Sequence, residues 1–94
     1  MSTLLIRHKV KDFAEWKKAF DAHSSTRRQM GSLGGRLMRD SADRDSITLI
    51  FEWDSLDHAR KFAESEDLKS TMAGAGVIGS PVIEYYEVSE KVWV

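Results

Sequence analysis

The hydrophobic period of this chain changes twice in the same order, from two residues to about 3.6 and back. That double change constrains the fold more than any other feature, because a strand pattern and a helix pattern bury different residues. Residues 3–10 alternate: Leu4, Ile6, His8 and Val10 share one face, and Leu5, Arg7 and Lys9 the other. Phe13, Trp16, Phe20, His23, Arg27 and Met30 then recur at spacings of 3, 4, 3, 4 and 3, the stripe of a helix. Asp12 with Glu15 makes a capping-box start, and Gly31 is a natural end. Ser24-Ser25-Thr26 is a weak patch, where short side chains compete for backbone partners. Residues 35–40 and 46–53 read as strands around a polar turn at 41–45, with Ile47, Leu49, Phe51 and Trp53 on one face. Asp54 or Ser55 caps a second helix whose stripe is Leu56, Ala59, Phe62 and Ala63. A helical turn restarts at Ser65 and carries Leu68 and Met72; Gly74, Gly76, Gly79 and Pro81 end it. Residues 82–88 form the last strand.

The order βαββαβ predicts a single α+β domain over residues 1–94, the ferredoxin-like plait. Its four-stranded antiparallel sheet, in order 4-1-3-2, carries both helices on one face. Strands 1 and 3 are expected parallel at the centre, with His8 level with Phe51 and beside Ile83 or Glu84. The other face would hold Leu5, Arg7, Ile50, Glu52 and one of the two faces of the last strand, with Ile83 and Tyr85 as candidates, which is too apolar to face water. A second copy of the sheet is the simplest cover, so a homodimer is expected, forming a dimeric α/β barrel. The apolar tail Val92-Trp93-Val94 suits an anchor in the partner.

Composition removes several function classes. The 94 residues include no cysteine, which excludes thiol nucleophiles and thiolate metal sites. The three histidines lack paired metal-ligand spacing, so no metal is expected. A net charge of −1 gives no general attraction to nucleic acid or anionic membrane. No apolar run approaches the ~20 residues of a membrane span, and the first apolar run stops at Arg7. The expected location is the cytoplasm. Gly74-x-Gly76-x-x-Gly79 has dinucleotide-loop spacing but follows a helix and precedes a strand, the wrong context.

The run Arg7-His8-Lys9-Val10-Lys11-Asp12-Phe13, then Trp16-Lys17, Phe20-Asp21 and His23, resembles the antibiotic biosynthesis monooxygenase-like family of the dimeric α/β-barrel superfamily. Phe51-Glu52-Trp53-Asp54, His58-Ala59-Arg60-Lys61-Phe62, Leu68-Lys69 and Ala73-Gly74-Ala75-Gly76-Val77 extend the resemblance over nearly the whole chain. It implies a homodimer with a cavity between helices and sheet in each subunit. It also implies, for some members, oxidation of quinols or polycyclic phenols by dioxygen without metal or flavin. Other members of the superfamily bind or degrade haem. The family's asparagine–tryptophan–arginine site has no counterpart for its asparagine, because this chain contains none.

A cofactor-free phenol oxidation needs an aromatic-lined cavity, a base and exclusion of water. His8, on an otherwise apolar strand face, is the candidate base, since an imidazole titrates near 6.5. His23 and Arg27 continue the helical stripe and complete the candidate catalytic set, with Arg27 or Arg36 to stabilise a phenolate or carboxylate. Trp16, Phe20, Phe51, Trp53, Phe62 and Met72 are the expected substrate-binding wall. The same residues also read as plain core, which leaves a non-catalytic homodimeric ligand-binding or structural module as the alternative. A haem-handling protein, with His58 or His23 as axial ligand, is the third reading.

Overall fold

A computed structural model describes residues 2–93. The elements are β1 (Ser2–Val10), α1 (Phe13–Ala22), α2 (Ser24–Met30), β2 (Ser32–Arg39), β3 (Ser46–Trp53), α3 (Leu56–Ala63), α4 (Glu66–Gly74) and β4 (Val77–Glu87). The strands form one sheet in the order β2-β3-β1-β4, the plait order expected. All four helices lie over one face of it, so the α+β ferredoxin-like architecture holds.

Both helical stretches are broken in two. The long stripe divides at His23, directly before Ser24-Ser25-Thr26, where the stretch was expected to be weakest. The second divides at Glu64, and Ser65 starts α4 by accepting from the Leu68 amide at 3.1 Å. Asp12 and Ser55 cap α1 and α3 in the same way. The cap of α3 is thus Ser55 and not Asp54, whose carboxylate instead meets His58.

Four positional expectations are corrected. β1 and β3 run antiparallel, so His8 lies opposite Ile47, and Phe51 lies opposite Leu4. A hairpin reverses β3 relative to β2, and β2 follows β1 in direction, so the central pair must be antiparallel. Glu84 pairs with Leu5 on the face away from the helices and is no partner for His8. Ile83 and Tyr85 stand opposite Ile6 and Leu4 and belong to the helix side; Val82, Glu84 and Tyr86 take the outer face. β4 also begins earlier than 82, at Val77, with a register shift between Arg7 and Lys9 that sets Gly79, Ser80 and Pro81 against the single residue His8. Gly79 adopts φ +71°, a conformation that favours glycine. As an edge strand, β4 tolerates Pro81.

The core is the layer between sheet and helices: Leu4, Ile6, Val10, Ile47, Leu49, Phe51 and Trp53 from the strands, with Trp16, Ala59, Phe62, Ala63 and Leu68 above them. At ~2–3 kcal/mol for each large side chain removed from water, this layer is the main source of stability. β2 follows Gly31 and passes very close to β3 at Gly35. A Cβ there would lie 1.9 Å from the Ile50 carbonyl oxygen, so only glycine fits. The tail beyond β4 leaves Trp93 97% exposed, and Val94 lies outside the described residues. Among the described residues, no helix is long and apolar enough to cross a membrane.

Candidate functional site

The layer is not solid. A narrow cleft opens within it, lined by Ile6, His8, Leu49 and Phe51 from the sheet, by Trp16, Phe20, His23 and Arg27 from α1 and α2, and by Phe62, Leu68, Thr71, Met72 and Ala75. Its free volume for water centres is about 40 Å³. One water needs roughly 10–15 Å³ on that measure, so the cleft as it stands holds a few waters.

His8 reaches the cleft because its neighbours on β1, Ile6 and Val10, share its alternation. It is only 6% exposed, and its Nδ1 is buried without a hydrogen-bond partner. Its ring meets Trp16 edge-on, with centroids 5.5 Å apart. Desolvation holds the imidazole below its ordinary 6.5, and the nearby polar backbone of His8 itself opposes this only in part. A neutral imidazole in an apolar wall can take a proton from a bound phenol and form an imidazolium beside the phenolate.

The aromatic wall follows from helical spacing. Trp16 stacks on Phe20 at 5.0 Å, and Phe20 stacks on Phe51 at 6.2 Å. Arg27 extends this ladder: its guanidinium lies 3.8 Å from the Phe20 ring centroid and donates from Nη1 to the Phe20 carbonyl at 2.8 Å. Arg27 is buried, and no acidic side chain among the described residues forms an ion pair with it. Burial therefore lowers its pKa, although Asp21 acts in the opposite direction.

His23 sits at the junction of α1 and α2. Its Nε2 is 2.7 Å from Asp67 Oδ2 on α4, and its ring packs on Phe62 at 5.9 Å. The contact joins the rim of the cleft to the helix that covers it. A pairing 44 residues apart has no signature in the sequence.

Of the residues predicted from sequence, His8, Trp16, Phe20, His23, Arg27, Phe51, Phe62 and Met72 converge on the cleft. Trp53 does not line it: it packs one ring deeper, 5.1 Å from Phe62, with Nε1 buried and unpartnered. β3 runs opposite to the expected direction relative to β1, which carries Trp53 to the far end of the sheet beside Ser2. His58 lies outside the cleft, half exposed, with Nδ1 2.8 Å from Asp54. Among the described residues, no group of three or more His, Cys, Asp or Glu side chains is placed to hold a metal. Thr71 and Ala75 were not anticipated. Both follow from Leu68 at helical spacing, so extending that stripe by one turn would have found them.

The fold and the cleft together define a plait-type α/β protein with an aromatic pocket between helices and sheet. The chain belongs to the antibiotic biosynthesis monooxygenase family, whose model matches residues 3–74. No curated protein matches it. Among solved structures it resembles an inferred antibiotic biosynthesis monooxygenase from Caulobacter crescentus. The two are 23% identical over 95% of this chain and 90% of that one, with a TM-score of 0.73. SnoaB, a cofactor-independent oxygenase from Streptomyces nogalater, is 16% identical over 97% and 95%, with a TM-score of 0.76. Rv0793 from Mycobacterium tuberculosis is 11% identical over 98% of both chains, with a TM-score of 0.71. At these identities the structural likeness establishes the fold alone.

Proposed function

We propose that this chain is a cofactor-independent monooxygenase acting on a planar quinol or phenol type of substrate, with His8 as the base. The observation that carries this reading is the burial of His8, with its pKa lowered, in a cleft otherwise walled by Trp16, Phe20, Phe51 and Phe62. Family membership supports the reaction class, and SnoaB is an oxygenase without a cofactor. In such a reaction His8 removes the phenolic proton, and the electron-rich phenolate reduces dioxygen. One oxygen atom enters at a ring C–H carbon, which becomes a quinone carbonyl, and the other leaves as water with that carbon's hydrogen and the phenolic proton returned by His8. Arg27 lies where it would stabilise the anion, and the aromatic wall keeps water out. The cleft is too narrow for a ring as it stands, so binding requires Leu68, Thr71 and Met72 on α4 to move outward. The same reading has the protein working as a homodimer in the cytoplasm, where a cysteine-free chain needs no disulfide.

Oxygen uptake with a panel of quinols and anthrones tests the proposal. Turnover is expected, reduced at least ~100-fold in His8→Gln, with the fold verified by circular dichroism. An inert wild-type protein, or a folded His8→Gln variant of full activity, would overturn it. The small free volume favours a second reading, a module that binds a small apolar ligand without turnover. Thermal stabilisation by a quinol with no oxygen consumed would identify that case.

A further inference from the structure

A second, wider cleft lies on the other side of Arg27, between α2 and β2. Its volume for water centres is about 420 Å³, within the range of small-molecule sites. Phe20, Phe51, Leu33 and Leu37 provide apolar surface, and Ser24 and Ser32 stand among the polar lining with Arg28. Gly34 and Gly35 line it as bare backbone, and a side chain on Gly34 would meet nothing within 4 Å.

Arg27 is the feature that calls for a ligand. Its guanidinium has five N–H donors, of which the Phe20 carbonyl takes one. The residue is only 9% exposed, and none of its nitrogens is among the buried atoms without a partner, so the free donors open onto the clefts. Asp21, the acid whose charge acts on it, is held by Lys17 at 2.6 Å. A buried cation without a counter-charge is costly, and a bound oxyanion removes that cost while accepting two parallel hydrogen bonds. Arg28, also unpaired among the described residues, adds positive charge at the rim.

We infer that the α2–β2 cleft binds an aromatic carboxylate, its carboxylate on Arg27 and its ring against Phe51 and Leu37. The site shares Arg27, Phe20 and Phe51 with the first cleft, but it requires binding and no turnover, so it can hold where the oxygenase reading fails.

The test compares 1-naphthoate, its neutral analogue 1-naphthalenemethanol, and inorganic phosphate as ligands of the full chain, by calorimetric titration and thermal shift. Naphthoate is expected to bind at least tenfold more tightly than the alcohol. Arg27→Gln is expected to erase that preference, and Arg27→Lys to retain part of it, since lysine keeps the charge without the planar fork. Equal binding of alcohol and acid overturns the inference, as does phosphate binding as tightly as naphthoate. Unchanged naphthoate affinity in a folded Arg27→Gln variant also overturns it. If Arg27→Gln does not fold, the wild-type comparison of acid with alcohol still decides. Naphthoate binding without oxygen uptake by any quinol would sink the oxygenase proposal and leave this one standing.

Discussion

Desolvation lowers the His8 pKa below 6.5, and this has consequences for both activity and stability. A base must be neutral to act, and His8 stays neutral to lower pH than a free imidazole. The oxygen-uptake rate is therefore expected to rise with pH through an apparent pKa below 6.5 and to be level above neutrality. A rate that climbs only above pH 7 would assign the base elsewhere. For stability the sign is set by proton counts. The unfolded chain, with His8 at its ordinary 6.5, binds more protons in mildly acidic solution than the folded chain does. His8 burial thus contributes fully above 6.5, and its contribution declines as the pH falls below that value toward the lower folded pKa. Chemical denaturation of wild type and His8→Gln at a series of pH values checks this. The wild type is expected to lose more stability than the variant between about pH 7 and 5, because the variant has no group to titrate at that position.

At the scale of elements, the helices differ in how firmly they are held. α3 buries Ala59, Phe62 and Ala63, whereas α4 buries only Leu68. The His23–Asp67 contact is α4's main polar tie to α1, and Asp67 is largely exposed, so it adds ~1 kcal/mol or less. Amide hydrogens of α4 should exchange faster than those of α3 and β1, and mass spectrometry of exchanged peptides reads this directly. Equal protection of α3 and α4 would argue against α4 as the part that yields to a substrate. β2 presents the opposite situation. Gly35→Ala forces a methyl group into the backbone of β3 and should cost on the order of 2–4 kcal/mol, seen as a lower denaturation midpoint. Periodicity made both helical stripes and the buried strand faces legible, and with them eight of the cleft residues. It could not show what depends on contacts distant in sequence. The register shift opposite His8 takes in residues 79–81 of β4, and the His23–Asp67 contact spans two helices. The position of Trp53 outside the cleft depends on the direction of β3 against β1, which hairpin geometry decides and residue spacing does not.

The molecule as a whole has one face that the helices never reach. On the side of the sheet away from α1–α4, Leu5 and Ile50 occupy the two central strands, half-buried. Around them Met38, Ile78, Val82 and Tyr86 are 38%, 47%, 43% and 49% exposed. Arg7, Glu52 and Glu84 interrupt this surface, so it is a mixed face and not a membrane-like one. Two such faces pack at about 10 Å when aligned, and a twofold axis through the sheet would bring the Leu5–Ile50 pair of each copy to the centre. Trp93, 97% exposed on a tail that leaves β4, has no apolar partner within its own subunit and would find one across that axis. At tens of micromolar the chain, 10.7 kDa as a monomer, is expected to scatter light as a particle of twice that mass. Ile50→Glu places a charge at the centre of the face, where the dimer would bury it unpaired, and should return the mass to that of one chain. The same substitution leaves the helix side of the sheet untouched, so the monomer should remain folded by circular dichroism. Removing the residues after Glu90 should weaken the dimer by a smaller factor, because it deletes the Trp93 anchor and spares the sheet. A wild-type protein that stays monomeric at that concentration would mean the outer face is simply solvated, and the cleft would then have to work within a single subunit.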